Sequence, residues 1–177
     1  MSRIPLTPVE SVSPAARDFM RRHGELNVFR LLAGAPKVFD GWSAMVDTQL
    51  GSRTFGPRLR ELVVLRTAHL QRCAYQIAQH TSVGRRAGIS PAEISALSTE
   101  GPVSGFTEPE STVLAFVSEL CTTGTVTQET FAAARTVLDE PELSELLLLV
   151  SLYYGLAIVL NAVDPDIDHD ARLETSS

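Results

Sequence analysis

The chain has 177 residues, of which 44% are hydrophobic and 20% charged, and its formal net charge is −6. This composition is typical of a globular protein and excludes an intrinsically disordered chain. The negative charge, with no basic cluster longer than Arg85-Arg86, argues against a nucleic-acid-binding protein. The length predicts a single domain over residues 1–177, with loose ends at 1–12 and 164–177.

The N-terminal sequence MSRIPLTPVE lacks the apolar stretch of a signal peptide. The two cysteines, Cys73 and Cys121, allow at most one disulfide bond, so the sequence does not indicate a secreted disulfide scaffold. We therefore expect a cytoplasmic protein, in which Cys121 is a small core residue.

Helix start and stop signals recur along the chain, and no convincing alternating strand pattern competes with them. Ser13 followed by Pro14 is typical of a helix N-terminus. Ser90 and Thr107 each have a glutamate three positions later, which is the capping-box pattern. Other helices are predicted over LNVFRLLAG, from Pro36 to Gly51, from Pro57 towards Gly88, from Thr127 and from Pro141. The sequence predicts an all-α fold with about seven or eight helices.

The last predicted helix is unusually apolar. Residues 146–163, LLLLVSLYYGLAIVLNAV, contain no charged side chain, and eighteen residues are the lower limit for a membrane span. Acidic residues flank both ends, however, and no Lys or Arg anchor lies nearby. We therefore predict that this helix is buried in the core or in a subunit contact, that the protein does not associate with a membrane, and that it forms a homo-oligomer.

The central segment RCAYQIAQH places a thiol and an imidazole about two helical turns apart. If this region is one continuous helix, steps of three and four residues align five polar side chains on one face: Arg66, His69, Cys73, Gln76 and His80. Such a stripe is unlike a solvated charged face and unlike an apolar core face. Arg66, His69 and Gln76 are its candidate substrate-binding residues. Arg66 is suited to hold a carboxylate, or to pair with Glu61 or Glu93, and we favour the structural pairing.

The surrounding sequence LRELVVLRTAHLQRCAYQIAQHTSVGRRAGIS resembles the signature region of the carboxymuconolactone decarboxylase family, which includes the alkylhydroperoxidase D-like proteins. The family pattern is a glutamate that opens an apolar helix, about a dozen residues, and a short motif ending in histidine. The matching residues are Glu61, then Cys73 and Tyr75, then His80. Gln76 stands where peroxidase members have the second cysteine of C-x-x-C, so the resemblance, over roughly residues 25 to 165, is to the branch without that dithiol.

The resemblance implies an alkylhydroperoxidase D-like helix bundle, homo-oligomers, and catalytic roles for Glu61, Cys73 and His80. On one straight helix, Glu61 and Cys73 would lie about 18 Å apart along the axis, too far for their side chains to cooperate. The family resemblance therefore favours a break near Leu70-Gln71-Arg72, unless the glutamate serves a neighbouring subunit. With a break, Cys73 would lie near a helix N-terminus, where the helix dipole lowers the pKa of a thiol.

The resulting hypothesis is a cofactor-free enzyme of the carboxymuconolactone decarboxylase type, acting on a small organic acid, lactone or carbonyl compound. His80 would move the proton, Glu61 would orient or relay it, and Cys73 would be a polar pocket group or auxiliary acid. Two alternatives remain: a thiol peroxidase that uses Cys73 alone, and a non-catalytic oligomeric ligand-binding protein. No metal site is predicted, because the spacing around His169 in DPDIDHD fits no calcium loop.

Overall fold

The computed structural model describes residues 2–168, and every regular element in that range is a helix. A 3₁₀ turn over Val9–Ser11 precedes the α-helices. The nine α-helices of the described chain are α1 (Pro14–His23), α2 (Asn27–Leu32), α3 (Pro36–Gly51), α4 (Pro57–Leu70), α5 (Ala74–Arg86), α6 (Pro91–Ala96), α7 (Glu108–Thr123), α8 (Gln128–Ala134) and α9 (Glu140–Val163). The predicted all-α class is confirmed. The number exceeds the expected seven or eight because the long helix predicted from Pro57 is divided into α4 and α5.

The helix starts follow the local sequence signals. Ser90 and Thr107 form complete capping boxes at the starts of α6 and α7. In each box, the side chain of the capping residue accepts a hydrogen bond from the backbone of the glutamate three positions later, and that glutamate side chain accepts one from the backbone of the capping residue. The start of α9 was not anticipated in detail. The Asp139 side chain accepts a hydrogen bond from the backbone of Glu142, and the Glu142 side chain accepts one from the backbone of Asp139, each at 2.8 Å. This reciprocal cap starts α9 at Glu140, one residue before the predicted Pro141.

The chain divides into two compact units: the described residues up to Ser52 together with those from Ala162 onward, and Arg53–Asn161. The first unit has an aromatic core around Phe19, whose ring makes edge contacts with Phe29 and Phe39 at centroid distances of 4.9 and 5.7 Å. The second unit contains every residue of the candidate site. The single domain expected over residues 1–177 stays a prediction.

Hydrogen bonds hold both ends of the described chain. The backbone N–H of Arg3 donates to the carbonyl of Val163 at 2.8 Å, and the backbone N–H of Asn27 donates to the Asp168 carboxylate at 3.1 Å. The Asn27 side chain also donates to the carbonyl of Asp166. These bonds hold parts of residues 2–12 and 164–168 in place. The loose ends expected at 1–12 and 164–177 stay a prediction.

Helix α4 is the centre of the second unit. It packs against α5 and α7, and every residue from Arg60 to Ala68 is buried. Leu62 and Leu65 of this helix form a core cluster with Ile89, Leu97 and Leu114. Since α4 is buried around its circumference, its polar side chains must find partners inside the protein.

The predicted break between Glu61 and Cys73 is present. Helix α4 ends at Leu70, and Arg72 has a φ of 51°, in the left-handed region that L-residues other than glycine rarely occupy. The backbone N–H of Arg72 donates to the carbonyl of His69 at 3.0 Å, and that of Cys73 donates to Ala68 at 2.9 Å. This is the bonding of a Schellman motif, in which an arginine occupies the position that usually holds glycine.

Helix α9 is the one helix of the described chain that is long and apolar enough to cross a membrane by length and composition. Within its most apolar window, 44% is buried in the protein. The core helix of a water-soluble protein meets the same criteria, so this finding is weak support for a membrane span.

Candidate active site

Glu61 and His80 form a direct, largely buried pair. The Schellman turn folds α5 back along α4, which brings His80 Nδ1 to 2.8 Å from Glu61 Oε2. The side chains of Glu61 and His80 are 2% and 12% exposed. The structure thus joins two of the three predicted catalytic residues through a hydrogen bond that requires the break in the helix.

The contact fixes the tautomer of the imidazole. A carboxylate oxygen accepts hydrogen bonds, so the neutral His80 ring must carry its hydrogen on Nδ1. Its Nε2 atom is then the basic nitrogen, available to take a proton from another molecule. The arrangement is similar to the histidine–carboxylate pair of serine-hydrolase triads, in which the carboxylate holds the imidazole in one tautomer.

Two further residues surround this pair. Arg60 Nε lies 3.9 Å from Glu61 Oε1, the oxygen that does not contact His80. The Tyr153 ring of α9 meets the His80 ring edge to face, with centroids 5.1 Å apart and an interplanar angle of 87°. Burial, and secondarily the charge of Glu61, raise the pKa of Tyr153, so its phenol stays protonated. Arg60 thus supplies positive charge to Glu61, and Tyr153 fixes the plane of the imidazole.

Gly84 allows the two helices to approach each other beside this pair. A Cβ atom at Gly84 would lie 3.0 Å from Leu65 Cδ1 and 3.2 Å from Ile89 Cδ1, both closer than ordinary contacts. It would also lie 3.9 Å from Glu61 Cβ. Because Gly84 lies one turn beyond His80, the missing side chain favours the short distance from α5 to Glu61.

Gln76 lies one turn before His80 on the same face of α5. It is 2% exposed, and its Nε2 atom donates to the Tyr153 carbonyl at 3.1 Å. Its Oε1 atom is buried and has no hydrogen-bond partner among the described residues. Of the three predicted substrate-binding residues, Gln76 is the one that lies beside Tyr153 and within one turn of the Glu61–His80 pair.

Cys73 is fully buried at the N-cap of α5. Burial raises the pKa of this thiol, although the backbone N–H groups of Gln76 and Tyr75 act in the opposite direction. The expected lowering of its pKa by the helix terminus is therefore wrong, because desolvation is the larger effect. Seven residues of helix also separate Cys73 from His80 by about 10 Å along the axis. Tyr75, the other motif residue in this turn, is 6% exposed and packs in the interior.

The continuous polar stripe is not formed, because the chain turns at Arg72. Arg66 is 1% exposed, and its guanidinium donates at 2.8 Å to the carbonyls of Leu97, Thr99 and Gly101. A fourth bond of 2.8 Å goes to the Ser118 hydroxyl. This arrangement matches the favoured structural use of Arg66, but its partners are not the expected Glu61 or Glu93. The guanidinium instead binds the backbone that follows α6.

His69 belongs to the last turn of α4, near Arg66. Its Nε2 atom is buried without a hydrogen-bond partner in the described chain. Burial, and then the charge of Arg66, lower its pKa, so this histidine stays neutral at physiological pH. The structure therefore places His69 with Arg66 and does not bring either of them to the Glu61–His80 pair.

Within residues 2–168, no group of three or more His, Cys, Asp or Glu side chains is arranged to hold a metal ion. His169 lies outside the described residues.

The sequence did not identify Arg60 and Tyr153 as site residues. Tyr153 had one signal, a tyrosine interrupting an apolar helix, whereas Arg60 had none beyond its position next to Glu61.

One known protein family matches the central part of the chain. Residues 36–119 match the model of the carboxymuconolactone decarboxylase family, a range that includes Glu61, Cys73 and His80. No curated protein sequence matches the chain.

Several solved structures share the fold. An uncharacterized peroxidase-related protein with an alkylhydroperoxidase AhpD core, from Ralstonia eutropha JMP134, has a TM-score of 0.83 and 18% identity over 95% of this chain and 93% of that one. A peroxidase-related protein from Silicibacter sp. TM1040 has a TM-score of 0.79 and 13% identity, over 99% and 96%. A variant of the debrominase Bmp8, in complex with 2,3,4-tribromopyrrole, has a TM-score of 0.78 and 15% identity, over 94% and 91%. At these identities, the similarity establishes the fold alone.

Proposed function

We propose that the chain is a cofactor-free enzyme of the carboxymuconolactone decarboxylase family, whose model matches residues 36–119. In this enzyme, Glu61 and His80 perform acid–base chemistry on a small organic acid, lactone or carbonyl compound. The observation that carries this proposal is the buried 2.8 Å contact between His80 Nδ1 and Glu61 Oε2. The family includes enzymes, and this contact orients an imidazole, the side chain most often used in general acid–base catalysis.

The proposed step is proton transfer at carbon next to a carbonyl group. Loss of carbon dioxide from such a position leaves an enolate, and protonated His80 delivers a proton to its carbon through Nε2. Glu61 stabilises the imidazolium before the transfer and holds the ring in one tautomer. In the reverse sense, neutral His80 removes a proton, which serves an isomerisation or a ring opening.

Arg60 and Tyr153 are positioning residues in this scheme. Arg60 Nε lies 3.9 Å from the second oxygen of Glu61 and places a positive charge beside it. The Tyr153 ring packs against the imidazole and limits its rotation. Cys73, two turns away and fully buried, has no role in the transfer.

The test uses a panel of small β-keto acids and unsaturated lactones, with two readouts: release of carbon dioxide, and exchange of carbon-bound hydrogen for deuterium followed by NMR. We expect wild-type activity on at least one compound, and losses of about 100-fold or more in Glu61→Gln and His80→Gln. His23→Gln is the matched control, because His23 Nε2 contacts Asp47 Oδ1 at 2.5 Å in a separate histidine–carboxylate pair. Unchanged activity in His80→Gln, or no activity on the whole panel, would contradict the proposal and favour a non-catalytic binding protein.

The thiol peroxidase alternative finds less support. A peroxidatic cysteine must be present as an accessible thiolate, whereas Cys73 is fully buried and its pKa is raised. Cys73→Ser separates the two hypotheses, since acid–base activity should survive this change and peroxide reduction should not.

The proposed enzyme works in the cytoplasm as a homo-oligomer. Large apolar side chains of α9 are exposed on the single chain, namely Leu147, Leu148, Ile158 and Val159. Leu148 and Ile158 are 55% and 56% exposed. Several large apolar side chains exposed on one helix are typical of a subunit contact, which supports self-association.

A further inference from the structure

The amide of Gln76 has a fixed orientation. The Tyr153 carbonyl can only accept a hydrogen bond, so the Gln76 amide must present its NH₂ group to it, as the 3.1 Å contact requires. Rotating the amide by half a turn would place two acceptor oxygens against each other. The Oε1 atom is therefore directed away from the Tyr153 carbonyl.

This oxygen is an unsatisfied acceptor inside the protein. Gln76 is 2% exposed, and Oε1 has no hydrogen-bond partner among the described residues. A buried amide oxygen without a donor is destabilising, and most such groups in folded proteins are paired. The location is informative, because the same face of α5 carries His80 one turn later, and the Tyr153 ring contacts that imidazole.

We propose that Oε1 of Gln76 accepts a hydrogen bond from the substrate, so that the site selects a small molecule with a neutral O–H or N–H donor near the carbon on which His80 acts. This inference rests on the proposed acid–base function and names the substrate class for the same site. Hydroxylated or enolic carbonyl compounds, lactams and N–H heterocycles fit this class. A carboxylate oxygen would meet an acceptor at this point, so an organic acid must direct its carboxylate elsewhere.

The preference for a ligand with a hydrogen-bond donor follows from the cost of leaving either a protein acceptor or a ligand donor unpaired. A ligand with a donor pairs with Oε1 and removes the cost of the unsatisfied oxygen. A ligand of the same shape without a donor leaves that oxygen unpaired, and sites built to bond a donor reject such analogues strongly. Without an acceptor in the site, the ligand with the donor would instead be the weaker binder, because it would bury an unpaired N–H or O–H.

The test compares pyrrole with furan, two five-membered rings of similar size of which only pyrrole has an N–H donor. Binding to the full-length protein is followed by NMR through the ring signals of His80. We expect pyrrole to bind about tenfold more tightly than furan in the wild type. In Gln76→Met, which keeps the side-chain length but removes the acceptor, this preference should disappear. Gln79→Met, the same substitution at a buried position of the same helix, should leave it unchanged.

Equal binding of the two rings to the wild-type protein, or binding of neither, would overturn the inference, and this comparison does not depend on how well a variant folds. A pyrrole preference that persists in folded Gln76→Met would also overturn it. These measurements need no turnover. If the wild type does not prefer pyrrole but its activity depends on His80, only the role of Gln76 is rejected. If its activity is independent of Glu61 and His80, the proposed function is rejected.

Discussion

His80 Nδ1 lies 2.8 Å from Glu61 Oε2 although the two residues are 19 positions apart in the chain. The reversal of direction between them depends on Arg72, which takes a φ of 51° to close the Schellman motif. The backbone at one exposed residue therefore determines whether the pair can form.

Substitutions at Arg72 test this backbone requirement. Its side chain is 88% exposed and its ion partner Glu100 is 98% exposed, so side-chain contacts contribute little. Arg72→Gly should leave the free energy of unfolding unchanged or raise it by up to about 1 kcal/mol, because glycine adopts positive φ without strain. Arg72→Val should lower it by about 1–2 kcal/mol, since a β-branched residue is strained there. Urea unfolding measures both, and equal stability of the valine variant and the wild type would contradict the argument.

Arg66 should be a major contributor to stability. Arg66→Met removes four hydrogen bonds and leaves the carbonyls of Leu97, Thr99 and Gly101 without their donor. We expect the free energy of unfolding to fall by about 3 kcal/mol. Arg135→Met is the matched control, because Arg135 pairs with Glu140 at the surface and should cost less than about 1 kcal/mol. Similar losses for the two variants would show that the Arg66 contacts are not maintained in solution.

Arg58 connects the start of α4 to both capping boxes. Its guanidinium binds Glu93 of the first box, and its Nε donates to Glu110 of the second at 2.7 Å. Arg58→Met should lower the melting temperature by loosening the starts of α6 and α7 together. Differential scanning calorimetry, again with Arg135→Met as the control, measures the difference.

The Arg58–Glu93 contact also predicts a dependence of stability on pH. The hydrogen bond from Arg58, followed by those from Ser90, lowers the pKa of Glu93 from 4.5 to about 2. A carboxylate with a lowered pKa in the folded state stabilises the protein fully above the unfolded value, and this stabilisation is lost as the pH falls from 4.5 towards 2. The wild type should lose stability over that interval more steeply than Arg58→Met. Parallel curves for the two proteins would contradict the assignment.

Both thiols should be unreactive in the folded protein. Cys73 and Cys121 are buried, and burial raises the pKa of Cys121 to about 11. Alkylation with iodoacetamide at pH 8 should be at least about 100-fold slower than in urea and should follow global unfolding. Faster labelling of Cys73 than of Cys121 under native conditions would instead indicate an accessible, activated thiol and would revive the peroxidase hypothesis.

The exposed face of α9 predicts the assembly state. The double variant Leu148→Glu, Ile158→Glu places two charges on that face and should convert the proposed homo-oligomer into monomers. Val38→Glu is the control, because Val38 is 69% exposed and belongs to α3. Sedimentation velocity at micromolar concentration distinguishes the outcomes, and a monomeric wild type would refute self-association.

The sequence determined the helices better than the site. Capping residues such as Ser90 and Thr107 act locally, so their patterns could be recognised directly. The turn at Arg72 was expected only from the family resemblance, because arginine does not signal positive φ. Glu61 and His80 were found through the same resemblance, and their contact needed the fold.

The remaining site residues depend on tertiary contacts. Tyr153 reaches His80 from a helix more than 70 positions further along the chain, which no periodicity indicates. The sequence predicted the wrong direction for the shift of the Cys73 pKa, because the helix terminus is a local feature whereas the depth of burial is set by the packing around it. The predicted polar stripe that includes Arg66 requires one continuous helix. The chain turns at Arg72 instead, so the stripe does not form.

On helix α9, the Tyr153 ring contacts the imidazole of His80. Leu148 and Ile158 lie five residues before and after Tyr153, each about 140° away around the helix axis, and both are exposed to solvent. A neighbouring subunit that packs against the exposed face of α9 would therefore restrain the helix that holds Tyr153 beside His80. Specific activity should then fall on dilution as the subunits separate, so that the turnover rate per subunit depends on the concentration of the protein.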